Sequence, residues 1–161
     1  HKPMLDYRGG KYSLYEAGTR IPFILRWPAA VAPGKQQGLF SQIDVYASLA
    51  EILEQPLAKG AAPDSKARPM ALLGRDQADR EYIVEQNLNN TLAIVSGNWK
   101  YLEPSDKPAI EFWTKMELGN NPKGELYNLE SDPNETNNVI KDHPEIAQKL
   151  AAELEKVKNQ K

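Results

Sequence analysis

The chain has 161 residues, enough for one domain with a hydrophobic core, or for the end of one domain followed by a small second one. Its 20 Lys and Arg against 22 Asp and Glu give a formal net charge of −2, which argues against a general grip on nucleic acid or an anionic membrane, so any anion site has to be local. No apolar run approaches the roughly 20 residues of a membrane-spanning helix, and with no Cys present, disulfides, zinc-thiolate sites and thiol nucleophiles are excluded together.

The chain opens HKPML, with neither an initiator Met nor a secretory pattern, and reads as part of a longer polypeptide. Next comes RGGKYSLYEAG at 8–18, where two glycines precede Lys11. The run IPFILRW at 21–27, closed by Pro28, is too short for a helix and predicts a buried strand. After a Pro- and Gly-rich loop, Ser41 and Asp44 have the S-x-x-D spacing of a capping box, with Ile43, Tyr46, Ala50 and Leu53 at helical spacing. A helix is expected over 42–54. Val45, Leu49 and Ile52 widen its apolar face, which predicts a helix covered on both sides.

Residues 55–79 are rich in Pro, Ala, Gly, Lys and Asp and read as a connector. Beyond it, EYIVEQ, TLAIVSG and NWKYLEP are short β-type stretches, and Ser96-Gly97-Asn98 is a hairpin signal, since Gly and Asn tolerate positive φ. Residues 105–124 are loop-like; GELYNLE at 124–130 supplies a fourth strand, stopped by SDPNE. The last element is an amphipathic helix of about 15 residues, with Pro144 in its first turn and Ile146, Leu150, Leu154 and Val157 on one stripe. The second half therefore predicts a four-stranded antiparallel sheet with one helix, whereas the first half offers one strand and one helix with no sheet of their own.

Residues able to carry chemistry are few. His143 precedes Pro144 at the start of a helix, where a capping or surface role is expected, and His1 stands at the edge of the chain. Asp64, Asp76, Asp79 and Glu81 are spread through loops without EF-hand or zinc-enzyme spacing, so no self-contained metal site is expected. Lys11 remains. A lysine after two glycines can offer three N–H donors and a point charge to a sulfate or phosphate oxygen. It can equally be a solvated turn, with Glu16 and Arg20 as an ion pair that holds the loop. Spacing leaves both readings open.

Taken together, RGGKYSLYEAGTRIPFILRWPAAVAPG resembles the sulfatase family, the formylglycine-dependent sulfuric ester hydrolases, in which a GGK or GKG segment leads into Y-E-G-G-x-R-x-P and an apolar strand ending R-W-P. The resemblance continues through FSQIDVYASLAEIL, NWKYLEP and GELYNLESDPNETNNV, and is weakest over 56–80 and 105–123. Ala17 stands where the pattern usually has Gly, and Asp64-Ser65 where it often has D-G.

The resemblance implies the carboxy-terminal part of a two-domain enzyme of the alkaline phosphatase superfamily. Residues 1–55 would be the last strand and helix of the catalytic α/β domain, 56–79 a connector, and 80–161 the small sheet-and-helix domain. It further implies that Lys11 contacts the sulfate and its bridging oxygen. The formylglycine nucleophile and Ca²⁺ of the family would be held by an amino-terminal domain, because the motifs that supply them do not occur in this sequence. The isolated chain is then expected to be inactive, the substrate to be an aryl or carbohydrate sulfate ester, and the location to be periplasmic, secreted or lysosomal. Two other readings stand beside this one: a stand-alone module that binds sulfated glycans, and a fragment of a phosphate or phosphonate ester hydrolase of the same superfamily. Trp99, Lys100, Trp113 and residues 85–87 are candidates to wall a substrate subsite, with burial in the core as the alternative for the two tryptophans.

Overall fold

The computed structural model describes residues 6–75 and 80–160; His1, Asp76 and Asp79 lie outside them. The chain forms two units, one from residues up to 22 together with 84 onward, the other from residues 23–83.

The first unit is an α+β structure built on a four-stranded sheet in the order β1-β2-β3-β4, from Ile83–Gln86, Leu92–Ser96, Trp99–Leu102 and Glu125–Asn128. Each strand lies within a stretch predicted above. β2 and β3 form a tight antiparallel hairpin in which Ser96 pairs with Trp99, and Gly97 takes the positive φ of 53° that this two-residue turn needs. β3 pairs antiparallel with β4, Lys100 opposite Tyr127 and Leu102 opposite Glu125.

Side chains alternate between the faces of a strand, and here both faces are covered. One face meets α4, Pro144–Lys158, which packs on β2 and β3 and buries Ala147, Leu150 and Leu154. The opposite face carries Ala93, Lys100, Leu102 and Tyr127, and residues 13–20 lie over it. Leu14, Tyr15, Ala93, Leu102 and Tyr127 form one buried cluster there. Double coverage explains why Lys100, Tyr101 and Leu102 are buried in succession. α4 has the predicted length and stripe, but His143 makes no side-chain cap. Its ring instead packs edge-on against Trp99, centroids 5.1 Å apart.

The second unit contains α2, Asp44–Ile52, and α3, Pro69–Leu72. The expected capping box is not formed, and the residue before the helix is Ile43 with no side-chain cap. The Asp44 carboxylate is otherwise engaged: Oδ1 accepts from the Lys66 backbone N–H at 2.9 Å and from Arg80 Nη1 at 3.0 Å. Ser48 Oγ accepts from the Arg68 N–H and Ser65 Oγ from the Ala47 N–H, so segment 64–68 is clasped to the helix by hydrogen bonds. The buried residues of α2 are therefore Asp44, Ala47 and Ser48. Tyr46, Leu49 and Leu53 are exposed, contrary to the expectation of a helix covered on both sides. The predicted strand at 21–27 is also absent: these residues make no ladder with any described residue, and Ile24 is 90% exposed. A strand exists only through its neighbour, and the four strands of the sheet pair among themselves.

Candidate functional site

Residues 8–20 form a tightly held loop that ends in α1, Glu16–Thr19. Lys11 sits at its outer turn, closed by Ser13 N–H donating to the Gly10 carbonyl at 3.0 Å, with Tyr12 at a left-handed φ of 84°. The two glycines fit for different reasons. Gly9 has φ +80°, and a Cβ there would fall 2.6 Å from Ser13 Oγ; Gly10 lies flat against Met116, whose Cε would be 2.7 Å from an added Cβ. Gly18 closes the loop from below, because a Cβ would strike the carbonyl oxygens of Gly10 and Ser13.

Buried and half-buried anchors then fix the loop to the sheet unit. Arg8 donates from Nε to Glu117 Oε2 at 2.7 Å and from Nη1 to Tyr127 Oη at 3.1 Å and the Glu135 carbonyl at 2.9 Å. Its guanidinium also stacks 4.0 Å from the centre of the Tyr15 ring. Burial alone would lower the Arg8 pKa, but Glu117 together with Tyr15 and Tyr127 outweighs it and holds the guanidinium above its ordinary range. The Leu118 carbonyl accepts from both the Leu14 N–H at 3.1 Å and Asn87 Nδ2 at 3.1 Å. Tyr15 and Tyr127 both donate to Glu125 Oε2, at 2.8 and 3.0 Å; burial, then the Glu125 charge, pushes both phenols above their usual range.

At the end of the loop, Glu16 points into the sheet. Its Oε1 is 3.0 Å from the Lys100 ammonium, and its Oε2 is 3.2 Å from Arg20 Nη1. The pairing of Glu16 with Arg20 foreseen from the sequence is thus present, with the buried Lys100 as a second, shorter contact. Lys100 is fully buried and belongs to this framework, not to a subsite wall, and Asn87 is likewise a buried structural residue. Trp99 packs on His143, whereas Trp113 is 84% exposed and stands edge-on to Phe112.

Lys11 is exposed, its Nζ 5.1 Å from the centre of the Tyr12 ring, and among the described residues no carboxylate lies within ion-pair distance of it. The loop therefore presents an uncompensated cation on a backbone that cannot readily shift. That arrangement suits a tetrahedral oxyanion, since a fixed charge needs no reorganisation when the anion arrives.

No protein-family model matches the chain. Among curated proteins, an N-acetylgalactosamine-6-O-sulfatase of Bacteroides thetaiotaomicron is 66% identical over 158 residues, covering 98% of this chain and 31% of that protein. The chain belongs to the sulfatase family. A solved Bacteroides thetaiotaomicron structure, described with that organism's metabolism of multiple glycosaminoglycans, superposes with a TM-score of 0.97 at 66% identity over 99% of this chain and 33% of that one. A Pseudoalteromonas sulfatase at 19% identity shares the fold, with a TM-score of 0.74 over 92% of this chain and 31% of its own. The chain thus spans about a third of the length of these relatives and matches their carboxy-terminal part.

Sulfatases imply a formylglycine and a metal in the complete enzyme. Among the described residues no group of three or more His, Cys, Asp or Glu side chains is placed to hold a metal ion. The carboxylates that do converge, Glu16, Glu85 and Glu135, surround the Lys100 ammonium, so the donors present do not fit a calcium site. No helix among the described residues is long and apolar enough to cross a membrane.

Proposed function

We propose that the protein carrying this chain hydrolyses carbohydrate sulfate esters and that Lys11 contacts the sulfate group. The observation that carries the proposal is the exposed Lys11, without an ion-pair partner among the described residues, on a loop anchored at Arg8, Leu14 and Glu16, in a chain that is 66% identical to an N-acetylgalactosamine-6-O-sulfatase. By that likeness the substrate is a 6-O-sulfate on N-acetylgalactosamine within a glycan. The Lys11 ammonium would sit against the sulfate and its bridging oxygen, where negative charge grows as the sulfur–oxygen bond breaks, and stabilise the transition state more than the ground state.

Nucleophile and Ca²⁺ would belong to an amino-terminal domain that packs on this chain. The exposed apolar side chains of the second unit favour such a partner over a stand-alone glycan-binding module: Phe23, Ile24, Trp27, Tyr46, Leu49 and Leu53 all show more than a third of their surface, apolar area of the kind a partner domain would cover. An exported location goes with a glycan substrate. The test is release of sulfate by the complete protein from 6-O-sulfated N-acetylgalactosamine, with the 6-O-phosphate as comparison. Faster release of phosphate would favour the phosphate-ester reading.

A further inference from the structure

Glu135 holds both ends of the segment that carries Lys11. Its carbonyl accepts from Arg8 Nη1 at 2.9 Å, and its carboxylate Oε2 accepts from the Glu16 backbone N–H at 2.6 Å. Its own backbone is set by its N–H donating to the Asp132 carbonyl at 3.1 Å. The remaining oxygen, Oε1, lies 3.3 Å from the Lys100 ammonium, which also stands 3.0 Å from Glu16 and 3.1 Å from Glu85. Glu135 and Lys100 are both fully buried.

We propose that Glu135 and Lys100 are positioning residues for Lys11. For its catalytic consequence this rests on the reading that Lys11 meets sulfate; the mechanical link from Glu135 to loop 8–16 does not. The groups that face the cluster are Lys100 from β3, Glu85 from β1, Glu16 and Thr19 from α1, and Glu135 from the segment after β4. Arg20 adds a cation on Glu16, but from a side chain that is 58% exposed. One buried ammonium cannot balance three carboxylates, two of them buried and Glu85 nearly so, so the cluster is best satisfied with a proton on one of them. Burial, opposed by Lys100 and by the hydrogen bond from the Glu16 backbone N–H and reinforced by the Glu16 charge, raises Glu135 from 4.5 to about 7; burial raises Glu85 as well.

The sign follows from which state holds the proton. With the clasp closed, Glu135 keeps its proton up to about pH 7; with the clasp open and the carboxyl in water, it loses the proton at about 4.5. Closure is therefore at its strongest below about pH 4.5, weakens as pH rises to about 7, and is constant above.

Hydrogen exchange of the complete protein tests this at pH 5 and pH 7.5, after correction for intrinsic rates, comparing peptides over residues 8–20 with peptides over α4. In the wild type the opening constant of 8–20 should rise by up to about tenfold per pH unit within the window, while α4 stays level. In Glu135→Gln, whose amide does not titrate, the rise should shrink to the part that Glu85 contributes. The same rise in Glu135→Gln, or an equal rise over α4, overturns the proposal. Should Glu135→Gln fail to fold, the wild-type comparison still decides, and no rise confined to 8–20 refutes it. No substrate takes part in exchange, so failure of the sulfatase reading shows separately, as a wild-type protein that releases no sulfate.

Discussion

Replacing Lys100 by Met keeps an apolar stem of nearly the same length and deletes the terminal ammonium. The consequence can be worked from the cluster around it. Three carboxylates, with side-chain exposures of 7% for Glu16, 15% for Glu85 and 0% for Glu135, would lose the one ammonium they share. Removing one partner of a buried ion pair costs about 3–5 kcal/mol. At about 4–8 °C per kcal/mol for a unit of about 100 residues, the sheet unit should melt roughly 12–40 °C lower.

Burial disfavours the Lys100 ammonium, but Glu85, Glu135 and Glu16 outweigh burial and hold its pKa above the ordinary lysine range. The ammonium itself is therefore charged throughout pH 5–8, and what changes over that range is the protonation of the carboxylates around it. The variant, by contrast, can relieve its carboxylates by taking up protons, so its deficit should be smaller at pH 5 than at pH 8. Calorimetry of wild type and Lys100→Met at both values checks this, following the transition that exposes the sheet unit. A loss below about 2 °C, or an equal loss at both pH values, would refute the electrostatic account of this face of the sheet.

Two further outcomes are expected. Gly18→Ala should cost about 1–3 kcal/mol, the range for overpacking, because the new Cβ meets the backbone oxygens of Gly10 and Ser13 and not a yielding side chain; an unchanged urea midpoint would count against the tight closure under Lys11. Leu49→Lys changes a residue that is 41% exposed in this chain, so water-facing it should shift stability by less than about 0.5 kcal/mol. In the complete protein a loss well above that is expected, and its absence would contradict an amino-terminal domain packed on α2.

The parts of this fold that were legible in the sequence are those decided by neighbours in the chain. The alternation in 91–102 with Gly97 between, and the stripe Leu150 and Leu154 behind Pro144, report local geometry and lead directly to the β2–β3 hairpin and α4. Elements decided by distant partners were less legible. IPFILRW has strand composition but makes no ladder with any described residue, and Asp44 looked like a cap because nothing local reveals Lys66 and Arg80 as its partners. Lys11 stood out through the glycines before it. The framework that holds Lys11 did not: Arg8 meets Glu135 across 127 positions and Glu16 meets Lys100 across 84. Lys100 in NWKYLEP stands as a candidate wall of a substrate subsite until the fold places three glutamates around it.

The central claim is that Lys11 stabilises the departing sulfate in a carbohydrate sulfatase. It is tested most directly by measuring sulfate release from 6-O-sulfated N-acetylgalactosamine by the complete protein, wild type beside Lys11→Ala, with hydrogen exchange confirming that loop 8–20 is intact in both. Loss of a preorganised charge at the transition state is worth about 3 kcal/mol or more, so kcat should fall by roughly a hundredfold to a thousandfold. A variant that turns over within a few-fold of wild type would return Lys11 to the status of a solvated turn residue.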